Sequence, residues 1–131
     1  MLLTEVRTIA VVGFSANPAK PSHSAPMHLV RRGWNVIPVN PNEAEVAGMR
    51  AYDTLADVPE PVDLVNVFRP SAETADIARQ ADAVGAGALW LQLGIRSEEA
   101  RQIAEDAGMA YVEDECAGAL AARLDLRPPN D

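Results

Sequence analysis

Short apolar runs alternate with longer segments of mixed polarity along almost the whole chain. Each run is rich in β-branched, aliphatic or aromatic residues and is too short for a helix, which favours strands covered on both faces. The predicted strands are Thr8–Val12, Asn35–Val39, Val62–Phe68, Ala88–Leu93 and Ala110–Val112.

The segments between these strands carry helix signals. Helices are predicted at Ser22–Arg32, from Ser71 to about Val84, from Ser97 to Gly108 and at Glu115–Leu124, with a short turn after Thr54. Serine near a helix start can cap the first turn, and glycine commonly follows the last. We expect Ser22 or Ser24 to cap the first helix and Gly33 to follow it.

Strands separated by helices pair in parallel through right-handed crossovers. The pattern therefore predicts an α/β, Rossmann-like doubly wound open parallel β-sheet of about five strands with helices on both faces. We expect a single domain over residues 1–131, with a frayed tail over about residues 125–131. In such a sheet, ligands bind beyond the carboxyl ends of the strands, where the strand order reverses.

Composition narrows the function classes. Apolar residues make up 48% of the 131 positions, which predicts a folded core, and the net charge of −8 disfavours nucleic acid as a partner. The single cysteine, Cys116, excludes a disulfide framework and a CxxC metal site. No run approaches the ~20 apolar residues of a membrane span, and no signal peptide is recognised, so we expect a cytoplasmic protein without membrane contact.

The loop after the first strand resembles a dinucleotide-binding turn at its start and then departs from it. Gly13 follows the strand, but the second and third glycines of that motif are missing. Ser15, Ser22 and Lys20 stand there instead, and the positive end of the next helix points to the same place. These groups predict a pyrophosphate-binding loop; the alternative is a proline-rich surface loop before an ordinary helix cap.

The ends of the other strands carry further candidates. Asn40 follows the second strand, where NAD-binding domains usually have an acid for the ribose hydroxyls, so a phosphorylated ribose is allowed. Phe68 and Arg69 can hold an adenine or a phosphate. The alternatives are a simple turn at Asn40-Pro41, and a core Phe68 beside a solvated Arg69. Gln92 is expected to be a buried polar side chain that needs a partner.

Five segments in order resemble the small stand-alone CoA-binding domain proteins, relatives of the CoA-binding domain of succinyl-CoA synthetase α chains and acyl-CoA synthetases. They are GFSANPAKPSHS, VIPVNPN, YDTLADVPEPVDLVNVFRP, WLQLGI and VEDEC, which together span about Ile9 to Arg123. The resemblance implies the Rossmann-like fold and a coenzyme A or acyl-CoA ligand.

The resemblance also implies which residues form the cofactor site. Gly13, Phe14, Ser15, Lys20 and Ser22 would form the diphosphate loop, Asn40, Pro41, Phe68 and Arg69 would flank the nucleotide, and Gln92 and Gly94 would lie at the inner end of the groove. The chain departs from the family in its closing stretch, DECAGALAAR, which is less basic. It also lacks the separate domain that carries the catalytic histidine in synthetase complexes, so no ligase activity is implied.

Three hypotheses follow for the function. The first is a binding module for CoA or acyl-CoA that acts as a carrier, sensor or regulator, with no catalytic residue, no metal and no chemistry of its own. The second is an NAD(P)-dependent or acyl-transfer enzyme subunit that needs a partner chain. The third is a redox switch in which Cys116 forms a mixed disulfide with the thiol of CoA. Apolar residues on the terminal helices also allow a homodimer.

Overall fold

The structure is a computed structural model that describes residues 1–130. The strands are β1 (Thr8–Val12), β2 (Asn35–Val39), β3 (Glu45–Val46), β4 (Met49–Arg50), β5 (Leu64–Val67), β6 (Ala88–Leu91) and β7 (Ala110–Val112). The α-helices are α1 (Pro21–Arg31), α2 (Thr74–Ala83), α3 (Glu98–Asp106) and α4 (Ala117–Arg123). Short 3₁₀ turns lie at Leu2–Glu5, Leu55–Asp57 and Ser71–Glu73.

Five strands form one parallel sheet in the order β2-β1-β5-β6-β7. Helices α1 and α4 pack together in one hydrophobic cluster, and α2 and α3 pack in the other. The predicted doubly wound α/β fold is therefore confirmed. The strand order reverses between β1 and β5, because the chain leaves β1 toward one edge of the sheet and returns to build toward the other.

The central strands of the sheet are buried on both faces, as their continuous apolar runs predict. All four residues of β5 and of β6 are buried, and so is the centre of β1. Strands β1, β2 and β7 have the predicted bounds, whereas β5 and β6 are shorter than predicted. The hydrogen-bond ladder nevertheless continues past them, since the Phe68 amide donates to Val12 and the Gln92 amide donates to Val67.

The predicted helix caps are confirmed in one case and corrected in others. Ser97 caps α3, and its hydroxyl accepts the Ala100 amide at 3.1 Å. Neither Ser22 nor Ser24 caps α1, because the helix begins earlier, with Lys20 as the N-cap. The first helical residue is Pro21, whose missing N–H costs nothing at that position.

The first turns of α2 and α4 also differ from the prediction. Ser71 begins a 3₁₀ turn that leads into α2, and its hydroxyl accepts the Arg96 amide from another loop instead of capping a helix. Helix α4 starts at Ala117, two residues later than predicted, with the Cys116 thiol accepting the Ala119 amide.

The hairpin formed by β3 and β4 was not predicted. It turns at Ala47 and Gly48, both of which have positive φ, as two-residue hairpin loops require. Two-residue strands are too short to produce a periodic pattern, which explains why the sequence did not reveal them. After the hairpin, Tyr52 forms a parallel bridge with Val39 and so returns the chain to the edge of β2.

Residues 124–130, which follow α4, have no regular secondary structure, but the first of them are held in place by contacts. The Arg32 guanidinium contacts the Asp125 carboxylate at 3.0 Å and the Ala122 carbonyl at 3.2 Å. The Leu126 amide donates to Ala121, and its side chain packs against the hydrophobic core. Of the tail predicted to fray, Asp131 lies outside the described residues.

Candidate functional site

A cleft of about 810 Å³ lies at the carboxyl ends of β1, β2 and β5. This is where the strand order reverses, and therefore where a ligand site is expected in an open parallel sheet. Its volume falls within the range of small-molecule sites. Eight of the eleven predicted site residues line it: Gly13, Ser15, Lys20, Ser22, Asn40, Pro41, Phe68 and Arg69.

Gly13 allows the loops after β1 and β5 to pass each other closely. Its φ is +89°, a conformation that favours glycine. A Cβ at this position would lie 2.9 Å from the Phe68 carbonyl oxygen and 3.1 Å from Cδ of Arg69. The Gly13 amide also donates to the Val39 carbonyl at 2.9 Å, so this one residue connects the ends of all three strands that form the cleft.

The loop after Gly13 is tied to the first turn of α1 through a proline inside the helix. Pro26 has no N–H to donate to the Ser22 carbonyl four residues earlier. That carbonyl accepts the Ser15 amide at 3.0 Å instead. The His23 ring nitrogen Nδ1 lies 2.7 Å from the Ser15 carbonyl oxygen, which therefore accepts a hydrogen bond from the Nδ1–H tautomer. His23 thus holds the loop in place.

The polar groups of this loop remain directed at the cleft. The Ser15 hydroxyl oxygen accepts the Asn17 amide at 3.1 Å, which leaves the hydroxyl proton free to be donated. Ser22 and Lys20 line the same wall, and Lys20 has no ion-pair or hydrogen-bond partner for its side chain within residues 1–130. The loop therefore offers hydroxyl donors and an unpaired cation to an anionic ligand.

Phe14 is a predicted site residue that the cleft does not include. Its side chain is fully buried in the core and packs edge-to-face with the His23 ring at 5.7 Å. Its backbone carbonyl accepts the side-chain amide of Asn40 at 3.1 Å. Phe14 therefore anchors the loop to the core, while the hydroxyl of the next residue, Ser15, lines the cleft.

Asn40 lines the cleft with a side chain that is already engaged. Its Nδ2 donates to the Phe14 carbonyl, and its Oδ1 accepts the Asn42 amide at 2.9 Å. The side chain builds the turn at Asn40-Pro41, and the residue also lines the cleft. An aspartate here could not donate to Phe14, which gives a structural reason for the amide.

Arg69 is fixed within the cleft by an acidic neighbour that the sequence analysis did not single out. Its Nε and Nη2 contact the two carboxylate oxygens of Glu73 at 3.1 and 2.8 Å. The hydrogen bond to Glu73 raises the pKa of the Arg69 guanidinium, opposed by desolvation. Three of the five guanidinium N–H groups remain outside this pair, and they are available to a ligand.

Three acidic residues line the cleft beside its two cations. None of them is among the site residues predicted from the sequence. They are Asp53, Glu73 and Asp76. The i,i+4 spacing of Arg69 and Glu73, and of Asp76 and Gln80, is the signal that could have revealed two of these partnerships. Asp53 lies in the segment YDTLADVPEPVDLVNVFRP that carries the resemblance, but no local pattern predicted its place at the cleft, because the hairpin that brings it there was not predicted.

Gln92 and Gly94 follow β6 and do not line the cleft. The Gln92 side-chain oxygen Oε1 is buried and has no hydrogen-bond partner within the described chain, as its alternating position in the strand suggested. The Gly94 amide donates to the Asp114 carboxylate at 2.7 Å. Both residues therefore belong to the loop after β6, which the Gly94–Asp114 hydrogen bond ties to the loop after β7.

The described residues form neither a metal-binding cluster nor a membrane-spanning helix. Within residues 1–130, no group of three or more His, Cys, Asp or Glu side chains could hold a metal ion. Across the same residues, no helix has both the length and the apolar character needed to cross a membrane. Cys116 is half-buried at the start of α4.

Comparison with known proteins identifies related sequences and folds. A family model described as "CoA binding domain" matches residues 7–122. The Bacillus subtilis protein YneT is 35% identical over 115 residues, which cover 88% of this chain and 85% of YneT. A Thermus thermophilus structure, cell-free ID.343, superposes with a TM-score of 0.88 at 38% identity and covers 94% of this chain and 93% of its own.

An enzyme subunit also matches. The alpha subunit of ADP-forming acetate–CoA ligase II from Pyrococcus furiosus is 28% identical over 131 residues. The match covers 92% of this chain but 29% of the subunit, so this chain corresponds to less than a third of that protein.

Proposed function

We propose that this chain, which belongs to the CoA-binding domain family, binds coenzyme A or an acyl-CoA as a carrier, sensor or regulatory module without chemistry of its own. The observation that carries the proposal is the cleft at the reversal of strand order. There, an unpaired lysine and two serines line the cleft in the loop after β1 and the first turn of α1, beside an arginine with free donors.

The diphosphate of CoA fits the loop after β1. The Ser15 and Ser22 hydroxyls and the Lys20 ammonium supply donors without the three-glycine turn of a dinucleotide-binding motif. Because Gly13 has no Cβ, its backbone lies close to the Phe68 carbonyl, and the phosphate loop is therefore next to the end of β5. These hydroxyl and ammonium donors can bind the two negative charges of the diphosphate.

The adenosine portion would lie between the ends of β2 and β5. Pro41 and the half-buried Phe68 offer apolar surface to a base, and the free edge of Arg69 offers donors. The rest of the ligand would extend toward β6, where the unpartnered Oε1 of Gln92 can accept a hydrogen bond and Gly94 leaves space. CoA when bound would present its own thiol or thioester; the residues described here bind and orient it.

The ligase relatives do not extend this proposal to an activity. The match covers 29% of the Pyrococcus furiosus subunit, so the activity named for that enzyme is not carried over to this chain. The proposed role therefore remains binding, and a partner chain or a homodimer remains a prediction.

Calorimetric titration of the purified protein with CoA, acetyl-CoA, NAD and NADP tests the proposal. We expect micromolar binding of CoA or acetyl-CoA and no heat with NAD. Binding of NAD or NADP in preference to CoA would contradict it and favour the oxidoreductase hypothesis. Absence of binding by CoA and acetyl-CoA would also overturn the proposal for the isolated chain.

A further inference from the structure

Asp53 lies where the chain returns to the edge of β2. Tyr52 forms a parallel bridge with Val39, the Tyr52 amide donates to Pro38 at 3.0 Å, and the Tyr52 carbonyl accepts the Asn40 amide at 2.8 Å. Tyr52 therefore acts as the last residue of an additional parallel strand segment beside β2. Asp53 follows it just as Asn40 follows β2, and both line the cleft.

The Asp53 carboxylate is exposed and unpaired. It has no hydrogen bond or ion pair to any side chain or amide within residues 1–130. Dinucleotide-binding folds place an acid at the end of the second strand, where it accepts the ribose hydroxyls. Here Asn40 occupies that strand end, and the hairpin supplies an acid from one strand further out.

Neither cation of the cleft is paired with this carboxylate. Arg69 is engaged by Glu73 through two hydrogen bonds, so the pair carries no net charge. Lys20 belongs to the loop after β1, where the diphosphate is proposed to bind. A phosphate on the ribose, held between the ends of β2 and β5, would therefore face an unpaired negative charge.

We propose that Asp53 is a specificity-determining residue that disfavours a phosphate on the ligand's ribose. This inference rests on the proposed function of the cleft. A free ribose hydroxyl can donate a hydrogen bond to the carboxylate, whereas a 3′-phosphate is repelled by it. Asp53 thus weakens the binding of CoA relative to dephospho-CoA, which differs from CoA only in lacking the 3′-phosphate.

The test compares the Kd values of CoA and dephospho-CoA for the wild-type protein and for Asp53→Asn. Asparagine keeps the shape and an acceptor but removes the charge, so the ratio of the CoA Kd to the dephospho-CoA Kd should fall by about fivefold. Asp82→Asn is the matched control, since Asp82 is exposed on α2 outside the cleft. The change should shrink when the titration is repeated in high salt, because exposed charges are screened.

The outcomes separate the specificity role from the binding function. An unchanged ratio in Asp53→Asn, an equal change in Asp82→Asn or weaker CoA binding at constant dephospho-CoA affinity would each overturn the role of Asp53 while the cleft still binds CoA. If neither nucleotide binds the wild-type or the variant protein, the proposed function fails, and the role of Asp53 fails with it.

Discussion

The carboxyl ends of the strands form two regions with similar residues but different states of charge. At the ends of β6 and β7, Arg96 contacts both Asp114 and Glu113, and the Tyr111 hydroxyl donates to Glu113 at 2.9 Å. In the cleft at β1, β2 and β5, the side chains of Lys20 and Asp53 have no ion-pair or hydrogen-bond partner within residues 1–130. One region is closed by its own side chains, and the other leaves charges open to a ligand.

The difference has a topological cause. The loop after β6 leads through α3 to the adjacent strand β7, and the loops after these two strands lie close enough for Arg96 to pair with Glu113 and Asp114. From β1 the chain passes through α1 to β2, whereas from β5 it passes through α2 to β6 on the other side, so the two connections diverge beyond Gly13 and a cleft opens there. Position after a strand is therefore insufficient to identify a candidate site. Unpaired polar side chains where the strand order reverses supply the further criterion.

The largest expected effect separates two glycines that have nearly the same φ, +89° at Gly13 and +85° at Gly94. A Cβ at Gly13 would lie 2.9 Å from the Phe68 carbonyl oxygen, whereas nothing lies within 4 Å of one at Gly94. We expect Gly94→Ala to lower the free energy of unfolding by ~1 kcal/mol, for backbone strain alone. Gly13→Ala should lower it by ~2–4 kcal/mol, because a steric clash adds to that strain.

Urea denaturation of the two variants measures this difference. Equal losses would mean that the approach of the β1 and β5 loops carries no strain beyond the backbone conformation. The contrast between the two regions would then rest on charge alone.

The next effect concerns one cation from each region. Lys20→Ala should weaken CoA binding by roughly 1–3 kcal/mol, or about fivefold to 150-fold, because it removes an unpaired charge from the phosphate loop. Arg96→Ala removes a cation that is already paired with Asp114 and Glu113, so CoA affinity should be unchanged. Calorimetric titration of both variants checks this pair. Equal affinities in Lys20→Ala and the wild-type protein would remove Lys20 from the site.

The smallest expected effect concerns the pH dependence of the closed region. The Gly94 amide and, to a smaller extent, the Arg96 guanidinium hold the pKa of the Asp114 carboxyl below its usual range. A depressed pKa in the folded state means that the carboxylate stabilises the protein above its unfolded pKa, and that this contribution is lost as the pH falls through the folded value. Asp114→Asn should therefore lower Tm at pH 7.

That difference in Tm between Asp114→Asn and the wild-type protein should shrink as the pH falls below about 4, the ordinary range for aspartate. Asparagine also tolerates the positive φ of 56° at this position, so the backbone adds little strain. Asp82→Asn serves as the control for removing an exposed carboxylate. A Tm difference that is the same at pH 7 and at low pH would show that the Asp114 charge is not the cause.

Much of the site was predictable because it depends on local chain geometry. Gly13, Lys20 and Arg69 follow strands whose apolar runs are unambiguous, and parallel strands bring their ends to one edge. The role of Asn40 was only half visible, since its partners are the Phe14 carbonyl and the Asn42 amide. Phe14 shows the limit of reading neighbours together, because adjacent residues in an extended loop point in opposite directions.

From the amino-acid sequence we could predict the order of strands and helices, the parallel α/β architecture and the loops in which a ligand site could lie. These depend on apolar periodicity and on glycine and proline, which act over a few residues. Only the tertiary structure shows which charged side chains are paired and which line the cleft. Asp53 reaches the cleft through an unpredicted hairpin, and the Ser22 carbonyl accepts Ser15 because Pro26 has no N–H. Pairing depends on distances between groups remote in sequence, and these distances exist only in the folded chain.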